Sequence, residues 1–213
     1  MTTYDCFKRI VDVVLTTGLM ILFLPVWIIV PFLIKFDSAG PVFADTPKRV
    51  GKDGSLFRMY KFRSMIQNAH RLLRTDPKLE KLYRKYKKNS YKLKFDPRVT
   101  RVGHFLRRFS LDEAPQFINV LKGEMSLVGP RAYYPDELEK QQKKYPQTRK
   151  YVRILLKSKP GVTGYWQVAG RSEINFDKRV KMDAAYVRKK SILYDLWIIA
   201  ATPVAMISGK GAL

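Results

Sequence analysis

Residues 13–34, VVLTTGLMILFLPVWIIVPFLI, form an uncharged, almost wholly apolar run of 22 residues. As a straight helix it would measure roughly 33 Å, against a bilayer core of about 30 Å. The run is longer than the apolar stretch of a cleaved signal, about 7–15 residues, and it lacks the polar face of a buried core helix. The pattern therefore predicts that residues 1–36 insert into a membrane. Pro25 lies near the middle of the run and Pro31 follows it. A mid-helix proline removes one backbone hydrogen bond and clashes with the carbonyl four residues back, so a kink is expected at Pro25. Lys8, Arg9 and Asp12 precede the run, and Lys35 and Asp37 follow it. Basic flanks at both ends give no positive-inside asymmetry. A spanning helix and a bent helix that re-enters the same face both fit.

Beyond the run the texture changes. Val42-Phe43, a turn at Gly51-Lys52-Asp53-Gly54, and the segment Leu56 to Arg63 read as short extended pieces around a turn. In residues 77–94, Leu79, Leu82, Tyr83 and Tyr86 fall at i, i+3, i+4 and i+7 among lysines, the stripe of a helix lying on an anionic lipid surface. Residues 99–108 read as a short basic stretch, 115–121 as a short helix ended by Gly123, and 126–131 as a tight loop. Residues 136–156 read as helical, broken near Pro146. Residues 159–171, with three glycines and a proline, read as a loop with one short strand at most, and 179–190 as a helix. Residues 192–207 are apolar except for Asp195 and are interrupted by Pro203. A carboxylate inside such a run favours an interfacial or core helix over a second span. The fold class expected is α/β, mostly helical with a small sheet. Residues 1–36 form the membrane-inserted part, and 37–213 a catalytic domain on the membrane face.

Charge narrows the function. The chain carries 41 Lys and Arg against 18 Asp and Glu, a formal charge of +23. Such a surplus points to a polyanionic partner: nucleic acid, anionic lipid headgroups or phosphorylated substrates. A single cysteine, Cys6, excludes an internal disulfide framework. Two histidines, His70 and His104, leave no histidine cluster for a metal. Both read as surface or packing residues.

The most informative stretch is Ser110-Leu111-Asp112-Glu113-Ala114-Pro115. Ser with Glu three residues on is a capping box, whereas Pro at a first helical position would start the helix at Pro115. Either way two adjacent carboxylates lie at a helix N-terminus. Neighbours in sequence point in different directions, so one can act as a nucleophile while the other holds a cation. Arg131 ends the small-residue loop after them, and its planar fork suits a phosphate. Lys61 and Arg63 alternate with Tyr60 and Phe62 upstream, and Gly161, Gly164 and Gly170 precede Arg171. Together these residues offer a carboxylate pair and several phosphate-binding cations beside a membrane. A membrane-tethered nucleic-acid-binding protein is the competing reading. It uses the charge and Tyr83, Tyr86 and Tyr91 but leaves Asp112, Glu113 and the glycine loops without a role.

In order along the chain, Lys8-Arg9-Ile10-Val11-Asp12, Gly40-Pro41-Val42-Phe43, Lys61-Phe62-Arg63-Ser64-Met65, Asp96-Pro97-Arg98-Val99-Thr100, Ser110-Leu111-Asp112-Glu113, the run from Asn119 to Arg131, Lys159 to Gly164, Gln167 to Arg171, Asp183, Tyr186 and Asp195 resemble the bacterial sugar transferases. These are monotopic polyprenyl-phosphate phosphoglycosyltransferases that begin the assembly of surface glycans. The resemblance implies transfer of a sugar-1-phosphate from a UDP-sugar to a polyprenyl phosphate such as undecaprenyl phosphate, with release of UMP, at the cytoplasmic face of the bacterial inner membrane. It implies Asp112 as the nucleophile that carries the phosphosugar, Glu113 as the ligand of a magnesium ion (Mg2+), and Arg131 on the phosphate under attack. Lys61, Arg63, Gln167, Arg171 and Asp183 match positions at or near the site, and Lys8, Arg9, Asp12 and Pro25 positions at the membrane. The family's membrane helix is re-entrant and kinked at a Ser-Pro pair, matched here by Leu24-Pro25. A second departure is Asp45-Thr46-Pro47, ahead of Arg49, where relatives usually carry Gln. The residues around Trp166 to Arg171 and the end at 209–213 resemble relatives that use glucose or galactose phosphate. No nucleic-acid partner is implied, and a homodimer is compatible.

Overall fold

The computed structural model describes residues 3–88, 93, 95–170 and 174–207. Arg171 and the end at 209–213, both read above as substrate-related, lie outside the described residues, as does most of the stretch after Lys88 in the helix expected over 77–94. The chain opens with α1 (Thr3–Leu22) and α2 (Leu24–Asp37), which meet at a bend of 60°. Among the described residues no single helix is long and apolar enough to cross a membrane, but this bent pair passes by length and composition together. The kink expected from Pro25 is present. The break falls at Phe23, and Pro25 sits in the first turn of α2, where its missing N–H leaves no intrahelical bond unmade.

The packing of α1 is inverted. Its buried residues are the polar Asp12 and Thr16, whereas Phe7, Ile10, Val14, Ile21 and Leu22 are exposed. In α2, Val30 and Ile34 are buried with Phe62 and Leu106 in one cluster, while Ile28, Ile29, Phe32 and Phe36 are exposed. The last helix, α11 (Ile192–Ile207), repeats the pattern: Ile198 and Asp195 are buried, Leu193, Trp197 and Val204 exposed.

The small amount of sheet expected is present between these elements, as two two-stranded pieces. β1 (Arg49–Val50) pairs antiparallel with β2 (Leu56–Phe57) across the turn at 51–54, with Arg49 opposite Phe57. β3 (Ser126–Val128) pairs parallel with β4 (Gly161–Thr163), Ser126 opposite Gly161 and Val128 opposite Thr163. The tight loop expected over 126–131 is therefore a strand up to Val128. Gly129 and Gly161 make the approach possible, because a Cβ on Gly161 would overlap Gly129 N and Thr163 O.

The helices are α3 (Ala69–Thr75), α4 (Glu80–Lys88), α5 (Arg101–Arg108), α6 (Gln116–Lys122), α7 (Pro135–Lys144), α8 (Arg149–Leu155), α9 (Tyr165–Ala169) and α10 (Phe176–Lys189). The break near Pro146 and the stop at Gly123, which caps α6 at φ 77°, follow the sequence reading. Two helices were read otherwise. The basic stretch over 99–108 is α5, capped by the Thr100 hydroxyl accepting from Gly103 N at 3.0 Å. Part of the glycine-rich loop after 159 is α9. In α4 the stripe of Leu82, Tyr83 and Tyr86 is half-buried against the protein rather than fully presented outward, and Tyr86 borders the cleft described below.

Candidate active site

Asp112 and Glu113 stand on a single 3₁₀ turn, residues 111–113, between α5 and α6. The chain enters it through Ser110, whose φ of 55° is left-handed. Ser110 makes no side-chain cap, and α6 starts only after Pro115. The capping box expected from the spacing is thus absent. A proline at position 115 has no N–H to continue an earlier helix, so the carboxylates are held on a tight turn.

That turn is fixed from the opposite side of a cleft of about 340 Å³. Phe62 N donates to Asp112 O at 3.0 Å. Lys61 Nζ lies 2.6 Å from Glu113 Oε1 and 3.8 Å from Asp112 Oδ2. Asp112 is buried. Burial pushes its carboxyl above the usual range, with Lys61 opposing and Glu113 adding to the rise. Burial acts against the Lys61 charge, but Glu113 and Asp112 outweigh it, so its ammonium is held above the usual value. Glu113 is the more open of the two carboxylates.

Arg131 reaches the same cleft from the other side. The parallel β3–β4 pair carries it, continued by Gly129 N to Thr163 O at 3.0 Å and Gly161 N to Pro130 O at 2.9 Å. Its backbone N–H donates to Asp183 Oδ2 at 3.2 Å. Its guanidinium lies 5.3 Å from the Trp166 ring centroid, and its Nε is buried without a partner. Gln167 lines the cleft and donates through Nε2 to Val162 O at 3.0 Å.

Other residues singled out in the sequence have different surroundings. Arg63 borders the cleft, yet all five of its N–H donors are engaged: Nε on Pro41 O, Nη1 on Ser38 Oγ and Ala39 O, Nη2 on Ser38 O and, at 3.5 Å, Ile34 O. It closes the C-terminal end of α2 and has no donor left for a phosphate, which corrects the substrate-binding expectation. Asp183 is buried beneath the loop carrying Arg131, where it also accepts from Tyr133 Oη at 3.2 Å, and it does not line the cleft. Lys8, Arg9 and Asp12 bind protein groups. Lys8 pairs with Asp195 at 2.8 Å, and Arg9 caps α6 through Val120 O and Leu121 O. Asp12 accepts from Ser126 Oγ at 2.7 Å and Leu127 N at 3.1 Å. Lys8 joins α1 to α11, and Arg9 and Asp12 join it to α6 and β3, which lead from Glu113 to Arg131.

The cleft residues that sequence reasoning did not assign to a site include Arg49, His70, Arg107 and Tyr134. Burial and the surrounding arginines, Arg98 foremost, push His70 down to about 4, so the imidazole is neutral at pH 7. Nothing in the sequence marks Arg49 among so many cations, because its burial is set by the fold.

Over residues 3–209 the chain matches the family model for bacterial sugar transferases. The chain belongs to the bacterial sugar transferase family. Three relatives show the extent of the likeness. It is 39% identical to the undecaprenyl-phosphate galactose phosphotransferase of Salmonella typhimurium, over 96% of this chain and 41% of that one. It is 39% identical to the UDP-glucose:undecaprenyl-phosphate glucose-1-phosphate transferase of Escherichia coli, again over 96% and 41%. With the exopolysaccharide production protein ExoY of Sinorhizobium fredii the identity is 38%, over 96% of this chain and 87% of that one. The chain thus spans about two fifths of the first two transferases and most of ExoY.

Proposed function

We propose that the protein transfers a sugar-1-phosphate from a UDP-sugar, with glucose or galactose favoured, to a polyprenyl phosphate. The observation that carries the reading is the buried Asp112 held at 3.8 Å from Lys61 in a cleft lined by arginines. The family and the activities for which its relatives are named support the same reaction.

In this reading the Asp112 carboxylate attacks the phosphorus next to the sugar. The bond from that phosphorus to the bridging oxygen breaks, and UMP leaves with the electron pair. An oxygen of the lipid phosphate then attacks the aspartyl phosphosugar, the acyl-phosphate bond breaks, and the carboxylate is restored. Lys61 opposes the effect of burial on the Asp112 carboxyl and, with its bond to Glu113, holds the turn in place. Arg131 balances the charge of the phosphate under attack. Arg107 lines the cleft from α5, which packs against α2, so a lipid phosphate arriving along that helix meets a guanidinium.

The adjacent carboxylates Asp112 and Glu113 suit Mg2+, which usually takes one or two protein carboxylates and completes its shell with phosphate and water oxygens. Glu113 would hold it, and when bound it would supply charge neutralisation to the diphosphate. The exposed apolar sides of α1, α2 and α11 support seating in one leaflet by a re-entrant α1–α2 pair, with residues 37–213 on the cytoplasmic face of the inner membrane. Labelled UMP should exchange into UDP-sugar without lipid acceptor, and Asp112→Asn should abolish that exchange in folded protein. Active enzyme that shows no exchange and gives intersecting double-reciprocal plots would instead require direct transfer in a ternary complex.

A further inference from the structure

Arg49 is 7% exposed, and none of the ion pairs among the described residues includes it. Its contacts are few for a buried guanidinium. Nη1 donates to Ala132 O at 3.1 Å, the Cζ stacks 3.3 Å above the Tyr134 ring, and Nε is buried without a partner. The residue lines the same cleft as Asp112. Two other arginines on that cleft differ. Arg63 has every donor engaged, and Arg98 grips Asp96 through Nε at 2.8 Å and Nη2 at 2.6 Å, with Nη1 on Ala69 O. A charge taken out of water without a counter-ion is costly. A scaffold that holds one against a cleft has left it available to an anion.

The backbone ties Arg49 to Arg131. Val50 N donates to Tyr133 O at 2.9 Å, and Arg49 Nη1 holds Ala132 O. Arg49, bonded to the carbonyl of 132, and Arg131, one residue before it, thus bring two guanidinium groups, each with an unpartnered Nε, to one cleft. Arg49 also lies close enough to Lys61 and His70 for its charge to oppose protonation of both.

We propose that Arg49 is the second guanidinium of the diphosphate site and holds the phosphate that departs with the nucleoside. The inference rests on the reading above. When the phosphorus–oxygen bond breaks, the leaving nucleoside monophosphate gains a full charge. Arg131 serves the phosphorus under attack, and Arg49 meets the developing charge on the other phosphate.

The test uses the full chain in detergent, with UMP and uridine as probes and no lipid acceptor. UMP affinity is measured by calorimetry for wild type, Arg49→Lys and Arg49→Gln. One charge-assisted contact corresponds to about 10–100-fold in affinity. Arg49→Gln should therefore weaken UMP by about that factor and leave uridine unchanged, and Arg49→Lys should fall between. In UMP exchange the glutamine variant should lose kcat as well as UMP affinity. Wild-type UMP affinity in Arg49→Gln overturns the proposal. So does an equal loss for UMP and uridine together with a lower melting temperature, which assigns Arg49 to packing against Tyr134. If Arg49→Gln does not fold, Arg49→Lys decides alone: UMP affinity equal to wild type refutes. Wild type that binds no UMP and catalyses no exchange would instead bring down the transferase reading itself.

Discussion

Replacing Arg63 by lysine separates two roles that the sequence cannot distinguish. Lysine keeps the charge but presents one ammonium where the guanidinium serves Pro41 O, Ser38 Oγ, Ala39 O, Ser38 O and Ile34 O. It can satisfy two of these at once, so about three bonds are lost. At about 1 kcal/mol net each, the cost is roughly 3 kcal/mol. For a chain of this size that is a drop of about 6–12 °C in melting temperature. The damage should reach the chemistry, because Arg63 follows directly on Phe62, which holds Asp112 O at 3.0 Å, and Lys61, which holds Glu113 at 2.6 Å. A displaced nucleophile lowers kcat, by about 10-fold or more, while KM for UDP-sugar stays within about twofold. The assay is UMP exchange in detergent at a temperature where the variant is folded, paired with a thermal melt. The reverse pattern, a large rise in KM with kcat and melting temperature unchanged, would show that Arg63 does bind phosphate and would refute the reasoning.

Three further outcomes are expected. Gly161→Ala should cost about 2–4 kcal/mol, because its Cβ overlaps Gly129 N and must open the strand pair that carries Arg131; a variant within about 0.5 kcal/mol of wild type by denaturant unfolding would contradict this. Burial pushes Asp183 up to about 7, against the opposing bonds from Arg131 N and Tyr133 Oη and the nearby Arg179. The folded protein therefore binds a proton that the unfolded chain, titrating at about 4, does not. This contribution is fully present below about pH 4 and is lost as pH rises to about 7; Asp183→Asn should flatten that slope in melting curves, and an unaltered slope would rule the assignment out. Cys6 is exposed and should be protected from a membrane-impermeant maleimide in intact cells; labelling from outside would exclude the re-entrant topology.

The sequence carried the fold best where one residue's covalent chemistry decides. Pro25 announced the bend, Gly123 the end of α6, and the proline at 146 the break between α7 and α8. It failed where tertiary packing decides. β3 is three residues long and pairs with a strand more than thirty residues away, and so short a run carries no period of its own. α5 contains Gly103, a poor helix former, within the stretch that read only as short and basic. In the structure that glycine is required, because a Cβ there would overlap Ser64 O where α5 crosses the segment after Lys61. Ser110 and Glu113 spelled a capping box, but Pro115 prevented the helix that the box would cap. The carboxylates therefore stand on a tight turn ahead of α6, and not in the first turn of a capped helix.

Cations were harder to sort, for a physical reason. In a chain with 41 Lys and Arg, the presence of an arginine says little about phosphate, since most of the charge faces solvent or lipid. What separates a binding cation from a structural one is whether its donors are already engaged, and that depends on backbone carbonyls whose positions only the fold supplies. Arg9 and Arg63 end on helix carbonyls, where the partial negative charge of the helix terminus favours them, and Arg98 ends on Asp96. Arg49 and Arg131 are left with unused donors at one cleft, and β1, which carries Arg49, is hydrogen-bonded to the backbone just after Arg131. The α1–α2 pair is bolted to that site at two places, through Asp12 on β3 and through Arg63 next to Phe62. Seating of the apolar helices and alignment of the carboxylate turn are thereby mechanically linked. This places the polar residues of the N-terminal helices in the alignment of the site, where the sequence had assigned them to lipid.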